Sequence, residues 1–207
     1  MQIKSLESFG PDYLLKALAT TRLQGFDGIR PYADARISLE VMDTELLAPA
    51  QRYVLRPTIS KITELRAALM ARGQDIFALN GGVFVQTNEQ EDRIPVIPPI
   101  IEESLEPDGR TVLIINDGIH RVFAARCAGL PISVVVIRGV PAELPYYAFA
   151  LRNGWADVQQ LDELPESFQK KEYRIPGQYR SLFRDFNAIF PGVQTVRRQS
   201  NPGHLRP

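Results

Sequence analysis

The stretch Ile114-Ile115-Asn116-Asp117-Gly118-Ile119-His120-Arg121 sets the organisation of this 207-residue chain. Its apolar start is typical of a buried strand, and the alanine-rich run that follows, up to Gly129, predicts a short helix. The first N–H groups of a helix have no intrahelical partner and carry a partial positive charge, so the turn predicts an anion-binding corner. The candidate residues where the strand becomes the helix are Asp117, Gly118, His120 and Arg121.

Each of these residues also has a purely structural interpretation. Without a Cβ, Gly118 lets backbone N–H groups approach a phosphate, although turns use glycine for its conformation alone. Asp117 could coordinate Mg²⁺ or accept a proton in phosphoryl transfer, whereas its spacing by itself favours a helix N-cap by about two to one. Arg121 could clamp a phosphate and His120 could donate to it, whereas spacing alone favours a solvated pair on the helix face.

The charge balance of the chain argues against a general nucleic-acid binder. The chain has 24 Lys and Arg residues and 24 Asp and Glu residues, which leaves no overall positive field. A cluster of arginines near the C-terminus gives that region an excess of positive charge. We expect these side chains to lie on a solvated face. These arginines are Arg174, Arg180, Arg184, Arg197 and Arg198.

The cysteine count and the apolar runs exclude further classes. Cys127 is the single cysteine, so the chain can form neither an intramolecular disulfide nor a multi-cysteine zinc site. We expect Cys127 to pack as a small hydrophobe. No apolar run is long enough to span a bilayer, and the first residues lack the apolar segment of a secretion signal. A cytoplasmic protein without membrane contact is therefore expected.

Apolar periodicity divides the rest of the chain into helices and strands. Ser60 and Gly73 are predicted to bound the clearest helix. Asn80-Gly81-Gly82 is predicted to turn a hairpin, with a solvated loop at 86–93 after it. An aromatic stripe predicts an amphipathic helix over 178–190. The predicted helices span 11–22, 60–72, 118–128, 145–153 and 178–190, and the predicted strands 36–42, 76–79, 83–85, 100–103, 110–116 and 132–137.

The order of these elements, together with Gly118-Ile119-His120-Arg121 and the alanine-rich helix ending in Gly129, resembles the ParB/sulfiredoxin superfamily over roughly residues 36–140. The resemblance implies an α+β fold with a mixed sheet flanked by helices. Residues 1–35 would then be an N-terminal helical segment. Residues 141–207 would be a C-terminal helical extension with a mobile tail from Arg197 onward.

In this superfamily the corresponding loop and helix N-terminus bind nucleotide phosphates. The resemblance therefore implies a nucleotide site at Gly118, His120 and Arg121, with ATP or a related nucleotide as the ligand. Asp117 is the predicted catalytic residue and metal ligand, since it could hold Mg²⁺ or take the proton of an acceptor hydroxyl.

The branches of the superfamily differ in residues that can be read from this chain. Sulfiredoxins carry a cysteine immediately before the His-Arg pair, where this chain has Ile119, so sulfur chemistry is disfavoured. Partition proteins add a helix-turn-helix domain, for which the C-terminal region offers no convincing motif. Their Gln-Pro-Arg box is only faintly similar to Pro49-Ala50-Gln51-Arg52, which lacks its proline.

The free-serine kinases are the branch closest in motif. They carry Asp-Gly-His-His-Arg, and Asp117-Gly118-Ile119-His120-Arg121 keeps the acid but loses the first histidine. Those kinases also use a glutamate upstream, near the start of the first helix. None of the nearest acids aligns with it convincingly, and these are Asp43, Glu45 and Glu64.

Three hypotheses follow for the function. The first is a nucleotide-dependent enzyme that performs phosphoryl transfer or hydrolysis on an unidentified small molecule or protein. The second is a non-catalytic module in which a nucleotide changes contacts with DNA or a protein partner. The third, a nuclease-like activity, is less favoured because the chain is neutral. A homo-oligomer is compatible with the sequence. The sequence does not determine which nucleotide would bind or whether it would be turned over.

Overall fold

The computed structural model describes residues 1–26, 28–88 and 90–193. The predicted mobile tail from Arg197 onward lies outside the described residues. Three 3₁₀ turns occur at Thr44–Leu46, Gly154–Asp157 and Tyr179–Leu182. The helices and strands are, in chain order, β1 (Ile3–Phe9), α1 (Pro11–Ala19), β2 (Arg36–Met42), β3 (Leu47–Ala48), β4 (Tyr53–Leu55), α2 (Arg56–Met70), β5 (Gly82–Thr87), β6 (Gln90–Val96), β7 (Ile100–Leu105), β8 (Thr111–Asp117), α3 (Ile119–Cys127), β9 (Ile132–Arg138) and β10 (Gln159–Leu161).

The quoted stretch lies in a mixed five-stranded sheet of order β2-β9-β7-β8-β3. Strand β9 is antiparallel to β2 and parallel to β7, β7 and β8 are antiparallel, and β8 is parallel to β3. Because side chains alternate across a strand, β9 contributes to two cores. Val134 belongs to the core that contains Leu69 of α2 and Val122 of α3, whereas Val135 belongs to the core that contains Leu14 of α1. Both faces of the sheet are covered, and the α+β class is confirmed.

Two smaller sheets complete the fold. Strands β1, β5 and β6 form an antiparallel sheet in the order β1-β5-β6, and β4 pairs in parallel with β10. Strand β1 was not predicted, because most of its residues are exposed and polar and give a weak alternation. Helix α2 begins at Arg56, and not after Ser60, with Pro57 in its first turn where a missing N–H costs nothing.

The predicted hairpin at Asn80-Gly81-Gly82 is wrong. Ile76 and Phe77 lie in a buried turn, because the Asp75 carboxylate accepts the N–H of Phe77 at 2.9 Å and pairs with both nitrogens of the Arg66 fork. Strand β5 pairs instead with β1 and β6. Much of the predicted solvated loop at 86–93 is therefore the end of a hairpin.

The predicted helices at 145–153 and 178–190 are also wrong, because the described part of the C-terminal region contains only 3₁₀ turns and the short strand β10. The aromatic stripe is nonetheless buried, with Phe186 and Phe190 both in the core beside α1. The backbone at 183–185 pairs with the N-terminal segment, and a turn at 187–189 separates Phe186 from Phe190. The N–H of Gln24 donates to Phe183 O, and that of Asp185 donates to Arg22 O, each at 2.9 Å.

The exposure of Cys127 decides one further expectation. Cys127 lies at the end of α3 with its side chain exposed, so the prediction that it packs as a small hydrophobe is wrong. Over the described ranges, none of the helices has the length and apolar character that crossing a bilayer requires.

Candidate functional site

The junction of β8 and α3 brings the four candidate residues into one turn. Asp117 ends the strand, Gly118 is the N-cap residue of the helix, and His120 and Arg121 lie in its first turn. Gly118 adopts φ 89° and ψ 21°, a left-handed conformation that costs an L side chain about 1–2 kcal/mol. No side chain caps the helix, so the expectation that Asp117 is the N-cap is wrong.

The side of Gly118 that a Cβ would occupy is filled by the protein. A Cβ built there would lie 2.9 Å from Pro99 Cβ and 2.9 Å from a terminal nitrogen of Arg121. Glycine is thus required for conformation and packing, which is the structural interpretation of this residue. The N–H of Arg121 donates to Gly118 O at 2.9 Å. The backbone donors left for an anion are therefore those of Ile119 and His120, for which the helix offers no partner.

Arg121 links the start of α3 to two neighbouring segments. One terminal nitrogen donates to Asp117 Oδ2 at 3.0 Å, and the other donates to the carbonyl oxygen of Ile97. The side chain is only 14% exposed, so the expectation of a solvated pair on the helix face is wrong for Arg121. The two contacts use two of the five N–H groups that a guanidinium carries, which leaves three for a ligand.

His120 is held by the segment that precedes α2. Its Nε2 accepts the backbone N–H of Leu55 at 3.1 Å, and Leu55 is the N-cap residue of α2. Burial, with the Arg121 charge as the second cause, lowers the pKa of His120 to about 4. The imidazole is therefore neutral at pH 7, and because Nε2 accepts, Nδ1 carries the proton.

Asp117 is a carboxyl group in a low-dielectric position. Burial raises its pKa, and the positive charges of Arg121 and, to a smaller extent, Lys171 oppose that rise. A carboxylate of raised pKa is a stronger proton acceptor than one exposed to water. The structure thus places Asp117 next to the helix N-terminus with a partner that fixes its orientation.

A buried polar network lies beneath the loop, and the sequence did not predict it. Arg184 forms a two-pronged pair with Glu102, with both N–O distances at 2.8 Å. Tyr32 donates to Glu102 Oε1 at 2.6 Å, and the Asn116 amide donates to both Glu102 and the Tyr32 hydroxyl. Arg184 and Glu102 are at most 1% exposed. The expected solvated face is therefore wrong for Arg184, which joins the C-terminal segment to β7 and β8.

Arg174 is a second arginine for which the predicted solvated face is wrong. Its guanidinium pairs with Glu106 and donates to Ser104 Oγ at 2.9 Å, and its Cζ lies 4.5 Å from the centroid of the Phe149 ring. Both charged side chains are nearly buried, at 11% and 5% exposure. The arginines of the C-terminal region thus act as internal anchors at these two positions and carry no argument for nucleic-acid binding.

The candidate upstream acids have other roles. Asp43 accepts the N–H of Glu45 at 3.0 Å and caps the 3₁₀ turn at Thr44–Leu46. Glu45 pairs at 2.8 Å with Arg126, which lies about 12 Å along the helix axis from Gly118 at 1.5 Å per residue. Glu64 is exposed on α2. None of the three stands as a second carboxylate beside Asp117.

A metal ion at this site would depend on few protein ligands. Within residues 1–26, 28–88 and 90–193, no group of three or more His, Cys, Asp or Glu side chains could hold a metal ion. Mg²⁺ is commonly bound by one or two carboxylates together with phosphate oxygens and water. Asp117 therefore fits Mg²⁺ that arrives with a nucleotide, and does not fit a resident metal centre.

Comparison with known proteins identifies the family of this chain. The sequence model of the ParB CE domain matches residues 13–159, which run from α1 past β9 and include the loop at Asp117–Arg121. No curated protein and no solved structure matches the chain. Because the match covers more than half of the sequence, the chain belongs to the ParB CE domain family.

Proposed function

We propose that this member of the ParB CE domain family binds ATP or a related nucleotide, with the phosphates at the N-terminus of α3. The observation that carries the proposal is the position of the Arg121 guanidinium, which donates to Asp117 and to Ile97 O at the start of the helix. These two contacts use two of its five N–H groups, so three can bind a phosphate. A planar guanidinium beside unsatisfied helix N–H groups is a favourable arrangement for a phosphate.

Gly118 and His120 support this arrangement in different ways. Gly118 gives the chain the left-handed turn between β8 and α3 and thereby sets where the first N–H groups of the helix lie. His120 is neutral, and its Nδ1–H is a donor that adds no charge. In the proposal, Arg121 supplies the charge, the backbone supplies directed donors and His120 supplies one further hydrogen bond.

Asp117 is the proposed catalytic residue. As an ionised carboxylate it would hold Mg²⁺, which would supply positive charge to the phosphates, and as a group of raised pKa it would accept the proton of an acceptor hydroxyl or water. Either role gives phosphoryl transfer or hydrolysis. The Arg121 contact at 3.0 Å fixes the carboxylate in both cases.

Calorimetric titration of the protein with ATP, ADP and CTP in the presence of Mg²⁺ tests the binding step. We expect at least one nucleotide to bind, and phosphate release under saturating nucleotide then measures turnover. Absence of binding to all three would overturn the proposal.

The second candidate is a nucleotide-responsive module without turnover. The observation in its favour is that Asp43 and Glu45 are engaged elsewhere, so neither is a second carboxylate for Asp117. This candidate predicts nucleotide binding with no phosphate release, and a nucleotide-dependent change in light scattering or in DNA mobility on a gel. Phosphate release that disappears in Asp117→Asn would instead favour the enzyme.

A further inference from the structure

Lys171 is a buried lysine that lies beyond the residues matched by the family model, 13–159. The residue is 6% exposed. Its Nζ donates to the hydroxyl of Tyr146 at 2.6 Å and to that of Tyr147 at 2.5 Å. The same nitrogen lies 5.2 Å and 4.6 Å from the centroids of the two rings. Two phenol groups thus hold the ammonium in one place.

The charge of Lys171 has no counter-ion in contact. All ion pairs within the described part of the chain involve arginines, and none includes Lys171. An ammonium has three N–H groups, and the two tyrosines take two of them. Because removing a charge from water is costly unless it is paired, a buried ammonium in this state calls for an anionic partner.

The surroundings of Lys171 connect it to the candidate loop. Tyr146 and Tyr147 share a core with Ile114 of β8, three residues before Asp117. The positive charge of Lys171 acts on Asp117, whose pKa it lowers against the effect of burial. The segment is also tied to β4, since the N–H of Arg52 donates to Lys170 O at 2.9 Å. Strand β4 ends at Leu55, the partner of His120.

We propose, resting on the nucleotide site proposed above, that the Lys171 ammonium binds the phosphate chain of the nucleotide and is the second cation of the site beside Arg121. A phosphate oxygen would take the third N–H and supply the missing negative charge. Lysine suits this role because its ammonium is a compact charge with donors that rotate. The segment after residue 159 then completes a site whose loop lies within the matched family region.

A purely structural lysine would behave differently on substitution. Lys171→Met would remove a buried charge that is costly without an ion pair, and this gain offsets the loss of the two hydrogen bonds to tyrosine. Lys171→Met is therefore expected to keep or raise the melting temperature while weakening the binding of phosphates. Lys170→Met is the matched control, because Lys170 is the neighbouring lysine and is exposed.

The test is calorimetric titration of wild type, Lys171→Met and Lys170→Met with Mg²⁺-ATP and with tripolyphosphate. We expect Lys171→Met to bind both ligands about tenfold or more weakly, and Lys170→Met to bind them as wild type does. Tyr147→Phe is the second variant, which keeps the lysine but removes one of its acceptors. If Lys171→Met does not fold, a severalfold affinity change in Tyr147→Phe takes its place.

The outcomes separate the two proposals. Equal affinity in wild type and Lys171→Met, or in Tyr147→Phe where that variant replaces it, overturns the role of Lys171 and leaves the nucleotide site standing. Binding of tripolyphosphate but of no nucleotide, with a loss in Lys171→Met, retains the Lys171 anion contact and overturns the nucleotide. If wild type binds neither ligand, both proposals are overturned.

Discussion

The Arg121 guanidinium donates to the Asp117 carboxylate at 3.0 Å across the first turn of α3, and its other terminal nitrogen donates to Ile97 O. One arginine thereby fixes the end of β8, the start of the helix and the segment before β7. The same contacts orient the remaining N–H groups of the guanidinium, which is why the proposed site depends on this pair.

Arg121→Ala is expected to lower nucleotide affinity by about tenfold to a hundredfold, because a charge-assisted hydrogen bond contributes about 1.5–3 kcal/mol. Arg126→Ala is the matched control, since Arg126 lies on the same helix and pairs with Glu45 away from the loop. Calorimetric titration measures both variants. Undiminished affinity in Arg121→Ala would contradict the site.

Gly118→Ala is expected to destabilise the protein more than Gly109→Ala does. Both glycines have a positive φ, at 89° and 81°, so both variants carry the strain of about 1–2 kcal/mol for a left-handed L residue. Only Gly118 adds a clash, with Pro99 Cβ at 2.9 Å, whereas Gly109 has nothing within 4 Å. Urea unfolding should show a difference of at least about 1 kcal/mol, and equal losses would refute this packing argument.

The lowered pKa of His120 predicts that the folded protein loses stability in mild acid. Its folded pKa of about 4 lies below the unfolded value of about 6.5, so between these pH values the unfolded state binds a proton that the folded state does not. Stability from this group is complete above pH 6.5 and falls by about 2–3 kcal/mol as the pH drops to 4. Asp117 acts in the opposite sense, because its pKa is raised.

The comparison of wild type with His120→Gln isolates the histidine, since Asp117 is common to both proteins and glutamine can still accept the N–H of Leu55. Urea unfolding at several pH values should give a shallower loss between pH 6.5 and 4 in the variant. Parallel curves would show that His120 titrates normally.

The buried ion pair of Glu102 and Arg184 predicts that the stability losses of the two single variants are strongly coupled in a double-mutant cycle. Glu102→Gln or Arg184→Met alone leaves a buried charge without its partner and is expected to cost about 3–5 kcal/mol. The double variant should lose clearly less than the sum of the two single losses. Arg180→Met, at an exposed position nearby, is expected to change stability by less than about 0.5 kcal/mol. Additive losses would mean that the pair does not act as a unit.

Asp117→Asn separates binding from chemistry. We expect the variant to retain nucleotide affinity in the absence of Mg²⁺, because the negative charge is removed while the Arg121 contact can persist through the amide oxygen. Dependence of the affinity on Mg²⁺ should disappear, and so should any phosphate release of the wild type. Release at the wild-type rate would exclude Asp117 as the catalytic residue.

The local pattern of the sequence determined the elements that carry the loop. Strand β2 was predicted at its observed bounds, and β8, α3 and β9 within one residue at each end, because each has a strong period of its own. The same local pattern placed Asp117, Gly118, His120 and Arg121 at one strand-to-helix turn, where the structure brings them together. Whether they bind a nucleotide stays a prediction.

Only the tertiary structure decided what these side chains contact and how the C-terminal region folds. The helical period of 178–190 is overridden because pairing with the N-terminal segment and the Glu102–Arg184 ion pair bury the same aromatic residues without a helix. The neutral state of His120 and the position of Lys171 likewise depend on residues far apart in the chain. Burial and charge pairing between distant segments have no local period, and a single sequence therefore does not display them.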